Sequence, residues 1–179
     1  MKIEPFLTEQ FFTQYEFSAP HLLASSDCET MSIGDLLQLA GSTLDELGGI
    51  TLGYTESQGD PQLRSQVSGM YTDVNGEDVV ILTSPVEGIY LAMQTLLEPD
   101  DEVIALRPAY DALNNVARHL CREVIPWNLV ASADQWELDF DQLESMIGSQ
   151  TRLIVVNFPH NPTGFVPSTA EFERLITLA

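Results

Sequence analysis

The sequence predicts an α/β fold: a mostly parallel sheet with helices on both faces. Three observations predict it. From residue 61 onward, short apolar runs alternate with longer stretches at helical spacing. Runs such as Val79-Val80-Ile81-Leu82 and Leu153-Ile154-Val155-Val156 are continuously apolar, as strands covered on both faces are. Turns rich in proline and glycine follow these runs directly, where parallel sheets gather ligands.

Each element has its own reason. The aromatic-rich segment 6–17 can pack against a core or a partner. Ile33, Leu36, Leu37, Leu39, Ala40, Leu44 and Leu47 recur at helical spacing and predict one helix over 32–47, ended by Gly48-Gly49. Asp60 as N-cap and Pro61 at the first helical position open a helix over 61–71. Residues 79–83 read as a buried strand. Ser84-Pro85-Val86-Glu87 has the spacing of a capping box and starts a helix reaching about residue 97. Strands follow at 102–106, 122–126 and 151–158, with helices at 110–120, 140–147 and 168–179. The change of pattern near residue 50 divides the chain into an N-terminal helical segment, 1–50, and a sheet-bearing part, 51–179.

Charge narrows the function classes. Twenty-seven acidic residues against seven basic ones give a net charge of −20, and the acids are spread along the chain. That field repels phosphate backbones and anionic lipid, so neither nucleic acid nor membrane is an expected partner. An anionic cofactor would need local positive potential. No apolar run approaches the ~20 residues of a membrane span, and Glu4, Pro5 and Glu9 interrupt the start of the chain, so a cytoplasmic location is expected. Cys28 and Cys121 lie far apart without metal-ligand spacing and read as reduced core thiols.

Three turns could carry chemistry. The N-terminus of a helix opening at Ser84 and Val86 suits a phosphate, although a capping box alone is a structural signal. Tyr110, in Pro108-Ala109-Tyr110, either packs at a helix start or stacks on a flat ring. In Pro159-His160-Asn161-Pro162-Thr163-Gly164, two prolines and a glycine make a rigid turn that can hold the Asn161 amide toward an anionic oxygen. His160 has no acidic or cysteine partner at ligand spacing, so no metal is expected. The sequence contains no GxSxG, Walker or GxGxxG motif.

These turns, in this order, resemble the class I/II pyridoxal-phosphate (PLP) aminotransferases of fold type I. The carrying residues are Leu52-Gly53-Tyr54, then Gly59 with Leu63-Arg64, then Glu87-Gly-Ile-Tyr-Leu-Ala-Met93. They continue with Leu97-Glu-Pro-Asp-Asp-Glu-Val103, Pro108-Ala-Tyr110 and Val155-Val-Asn-Phe-Pro-His-Asn-Pro-Thr-Gly164. The resemblance covers residues 50–179 and implies an incomplete three-layer fold type I large domain, with 1–50 belonging to the small domain or arm.

It further implies a transaminase with PLP as cofactor and amino acids and 2-oxo acids as substrates. Asn161 matches the asparagine that donates to the cofactor's phenolic oxygen, and Tyr110 the aromatic residue stacked on its ring. Ser84 and Val86 fall in the phosphate loop, where Pro85 departs from the usual pattern and removes an N–H donor. Tyr54 matches the tyrosine that reaches the cofactor phosphate of a neighbouring subunit, which implies a homodimer. Arg64 matches a common position and reads as structural. The chain carries no match to the Schiff-base lysine, to the aspartate at the ring nitrogen or to the substrate-binding arginine, and its single lysine is Lys2. It is therefore expected to represent the N-terminal portion of an enzyme and to be inactive alone, with no catalytic residue of its own. Lyase, cyclase or decarboxylase chemistry on the same cofactor, and a non-catalytic domain keeping the scaffold, remain open beside transamination.

Overall fold

The structure, a computed structural model, describes residues 3–24, 28–132 and 135–179; Lys2 lies outside them. It forms two compact units, Met1–Ser18 with Ser84–Ala179, and Ala19–Thr83. The helical stretch 1–50 is thus shared between both.

In the first unit, β1 (Glu102–Arg107) lies between β2 (Glu123–Asn128) and β5 (Thr151–Val155), all parallel. Ile104 is in register with Ile125 on one side and Ile154 on the other. Val103, Ile104, Ala105 and Leu106 are each at most 2% exposed, so the central strand is covered on both faces.

Alternation along β1 sends its side chains into two cores. Ile104 and Leu106 join Trp127, Phe140, Leu143 and Leu175, which brings α7 (Phe140–Met146) and α8 (Thr169–Leu178) to that face. Val103 and Ala105 join Met93, Leu97, Val116 and Ala117 from the region of α5 (Pro85–Leu96) and α6 (Asp111–Leu120) on the other. The result is the expected α/β/α layering. Trp127, fully buried, satisfies its indole by donating to the Asp139 carbonyl at 2.9 Å.

The same unit contains α1 (Leu7–Tyr15) and a short antiparallel pair, β3 (Val130–Ala131) with β4 (Trp136–Glu137), which sequence pattern did not indicate. Strand β5 ends at Val155 rather than 158, and β2 runs on to Asn128.

The second unit departs from expectation in two places. The helix expected over 32–47 is two, α2 (Ile33–Ala40) and α3 (Leu44–Gly48). Gly41 adopts φ +67° and closes α2, and Thr43 forms a capping box with Glu46 that opens α3. Local caps override a continuous apolar period. Residues 79–83 pair with no strand among the described residues; Ile81 N–H instead donates to the Gln58 carbonyl at 2.8 Å. A β-branched run becomes a strand only with a partner for its backbone, and Val80 is half exposed here. Gly59, at φ +104°, allows this approach, since a β-carbon there would meet Ile81 at 2.6 Å. Helix α4 (Pro61–Ser68) opens as expected, with Asp60 accepting from Leu63 N–H, but closes three residues before Tyr71.

Candidate active site at the strand ends

Topology alone brings three turns to one rim of the sheet. Helix α5 enters β1 through the short connection 97–101, so it runs against the strand and begins at the rim where β1 ends. Residues 108–110 leave β1 at that rim, and residues 156–164 leave its parallel neighbour β5 there as well.

Ser84 caps α5, its hydroxyl accepting from Glu87 N–H at 3.3 Å. Pro85 has no N–H, so Val86 offers the next backbone donor of the first turn. Tyr110 is the N-cap of α6 and is half-buried. Its hydroxyl donates to Glu9 Oε1 at 2.6 Å, and its ring meets Phe6 edge-on at 6.4 Å. Burial, followed by the hydrogen bond to Glu9, pushes the Tyr110 phenol up to about 12. The N-terminal segment is itself fastened to α6: Asp111 accepts from Thr8 N–H at 2.9 Å, and Asn115 donates to the Pro5 carbonyl at 3.2 Å.

The third turn is held by backbone and side-chain bonds together, its prolines being unable to donate. Asn157 Oδ1 accepts from Asn161 N–H at 2.9 Å, and the Gly164 N–H donates to the His160 carbonyl at 2.7 Å. Gly164 sits at φ +73°, where a β-carbon would strain the backbone. His160 is buried, with Nδ1 2.8 Å from Thr163 Oγ1 and Nε2 2.7 Å from the Pro108 carbonyl. The Asn161 side chain is exposed and makes no hydrogen bond among the described residues.

Of the five residues singled out from sequence, Ser84, Val86, Tyr110 and Asn161 thus belong to turns at one rim. Tyr54 belongs to the other unit, where its side chain is fully exposed. Arg64 has the structural duty read for it, donating to the Gly59 carbonyl at 3.1 Å and the Gly76 carbonyl at 3.0 Å. Glu9 escaped the sequence reading, which named Asn157, His160 and Thr163 within the motif at 155–164 without giving them their bonding roles. The last three had a signal, since a turn with two prolines must borrow polar side chains.

Beside the rim, Arg107 and Arg118 line a cavity of about 220 Å³ with Asp111, Asn114 and Asn115. Arg107 Nε is buried without an acceptor among the described residues, and desolvation, followed by the charge of Arg118, lowers its basicity. Among the described residues no group of three His, Cys, Asp or Glu side chains could hold a metal ion, and no helix is long and apolar enough to cross a membrane.

The family model for aminotransferase class I and II matches residues 22–179. The chain belongs to the class I and II aminotransferases. Capreomycidine synthase from Streptomyces vinaceus is 32% identical over 158 residues, covering 87% of this chain and 40% of that protein. Aspartate aminotransferase from Sulfurisphaera tokodaii is 32% identical over 79% of this chain and 36% of its own length. A solved PLP-dependent aminotransferase from Streptococcus suis superimposes with a TM-score of 0.91 at 29% identity, over all of this chain and 49% of that one. This aminotransferase chain therefore spans well under half the length of the curated relatives it matches.

Proposed function

We propose that the protein containing this chain is a PLP-dependent transaminase that moves an amino group between an amino acid and a 2-oxo acid. The observation that carries the reading is that the Tyr110 turn and the Asn161 turn, joined by His160 to the Pro108 carbonyl, stand at the rim where parallel sheets bind ligands, with the Asn161 amide uncommitted among the described residues. The residues present fit the cofactor chemically. An amide with free donors suits a phenolate oxygen, an aromatic face suits a pyridine ring, and a twelve-residue helix with a serine cap suits a phosphate.

Bound there, PLP supplies an electron sink for a substrate amino acid losing its α-proton. The chain's residues hold and orient. Asn161 donates to the phenolic oxygen, Tyr110 stacks on the ring, and the Ser84 hydroxyl and Val86 N–H hold the phosphate. Tyr54 reaches the phosphate site of a second subunit, so the enzyme works as a homodimer. Segment 1–50 contributes to the small domain or arm, and 51–179 to the large, cofactor-binding domain. Neither cysteine is the core residue expected from sequence, Cys28 being exposed and Cys121 half-buried, and as free thiols they accord with a cytoplasmic location. Transfer of the α-proton needs a base that this chain does not provide, since Lys2 matches no family position. The chain alone is inactive.

The test uses the full-length gene product. With PLP and a panel of amino acids it releases the corresponding 2-oxo acid, detected by mass spectrometry. Asn161→Ala weakens PLP binding about tenfold or more, as loss of a donor to a charged oxygen does. A second reading is favoured by one observation: a relative covering 87% of this chain is named a synthase. An altered amino acid without any 2-oxo acid would establish that reading in place of transamination.

A further inference from the structure

The pairing of β1 with β5 ends at Ala105 and Val155, short of both turns that leave these strands. The ladder therefore does not fix the 108–110 turn relative to the 159–164 turn. His160 does. It is 2% exposed, and its two ring nitrogens are 2.7 Å from the Pro108 carbonyl and 2.8 Å from Thr163 Oγ1. A carbonyl can only accept, so Nε2 carries a hydrogen and donates to Pro108. In that tautomer the Thr163 hydroxyl donates to Nδ1 while accepting from Phe165 N–H at 3.3 Å. The bonds run in one direction, from Phe165 through Thr163 and His160 to Pro108, and each strengthens the next. Water cannot replace a partner at a buried ring, so losing the imidazole leaves polar groups on both turns unsatisfied.

We infer that His160 is a positioning residue that locks the Tyr110 turn to the Asn161 turn, setting the ring-stacking surface and the amide donor at one fixed separation. The inference rests on the proposed cofactor site. With both nitrogens engaged and the ring buried, His160 has no free lone pair to act as a base; it acts through Tyr110 and Asn161.

The experiment compares His160→Phe, which keeps the ring but not the bonds, with His160→Gln, whose amide N–H can reach Pro108. The full-length gene product is used. Three quantities are read: PLP affinity by fluorescence titration, visible circular dichroism per bound cofactor, and hydrogen exchange of segments 105–113 and 157–166 without cofactor. His160→Phe is expected to weaken PLP by about tenfold, to change the dichroism and to speed exchange in both segments, while His160→Gln returns all three to within about threefold of the parent. A folded His160→Phe protein with parental affinity and dichroism overturns the inference, as does a Gln variant no better than Phe. If His160→Phe does not fold, Thr163→Val removes the hydroxyl at Nδ1 and is read on the same three scales, faster exchange in both segments supporting the lock and change in neither overturning it. A parent protein without saturable PLP binding would instead defeat the proposed cofactor site and, with it, the role assigned to His160; unchanged exchange would defeat the lock alone.

Discussion

Tyr110 joins the N-terminal segment to the rim of the sheet through one short hydrogen bond to Glu9. Its phenol titrates well above the ordinary value of 10, near 12, because burial and a nearby carboxylate both disfavour the phenolate. The sign follows from linkage. The folded state keeps its proton where the unfolded chain loses it, so the contribution of Tyr110 is complete below pH 10 and disappears between pH 10 and about 12. Absorbance titration at the phenolate band should show one late tyrosine that is missing in Tyr110→Phe. Glu9→Gln should bring that midpoint down but not to 10, since burial is the larger cause. A Glu9→Gln protein whose late tyrosine does not move would exclude the carboxylate as a contributor. None of this was readable from sequence. Residues 9 and 110 meet only after the fold is made, whereas the turn at 159–164 was legible as a turn because its prolines and glycine stand together in sequence.

Helix ends decide both local structure and the phosphate position. Ser84 caps α5 on the face of α6, and Ser168 caps α8 on the opposite face with a full capping box to Glu171. Replacing either serine with alanine should cost about 1 kcal/mol of stability, measured by urea unfolding. Only Ser84→Ala should also weaken PLP binding, because only that hydroxyl belongs to the proposed phosphate loop. Equal loss of affinity in both variants would count against the loop assignment. The same local logic explains which elements were legible. The α5–β1–α6 succession carries its caps and apolar pattern in adjacent residues, and it formed as expected. Residues 32–47 were misread because Gly41 and Thr43 interrupt the helix without breaking the apolar period. Residues 79–83 were misread because strand propensity says nothing about whether a partner strand lies alongside. The β3–β4 pair is too short for any period to reveal.

At the scale of the whole chain, apolar surface is unevenly covered. Strand β1 is covered on both faces, yet α1, α2 and α3 contain no buried residue, and on α2 Ile33, Leu36 and Leu39 are each more than half exposed. Exposed apolar side chains on consecutive turns of a helix form a contiguous face, which favours association with other protein surfaces. The net charge of −20 opposes association at low salt, and salt screens that repulsion within about 10 Å at 0.1 M. Two opposing terms therefore set the behaviour of the isolated 179-residue chain, and only one of them depends on salt. It should bind a hydrophobic dye at all salt concentrations and elute from a sizing column above its 19.8 kDa mass, increasingly so as salt is raised. The triple variant Ile33→Ser, Leu36→Ser, Leu39→Ser should bind less dye and elute closer to a monomer. A chain that stays monomeric in high salt, binds no dye and melts in one sharp transition would show instead that this face is covered from within.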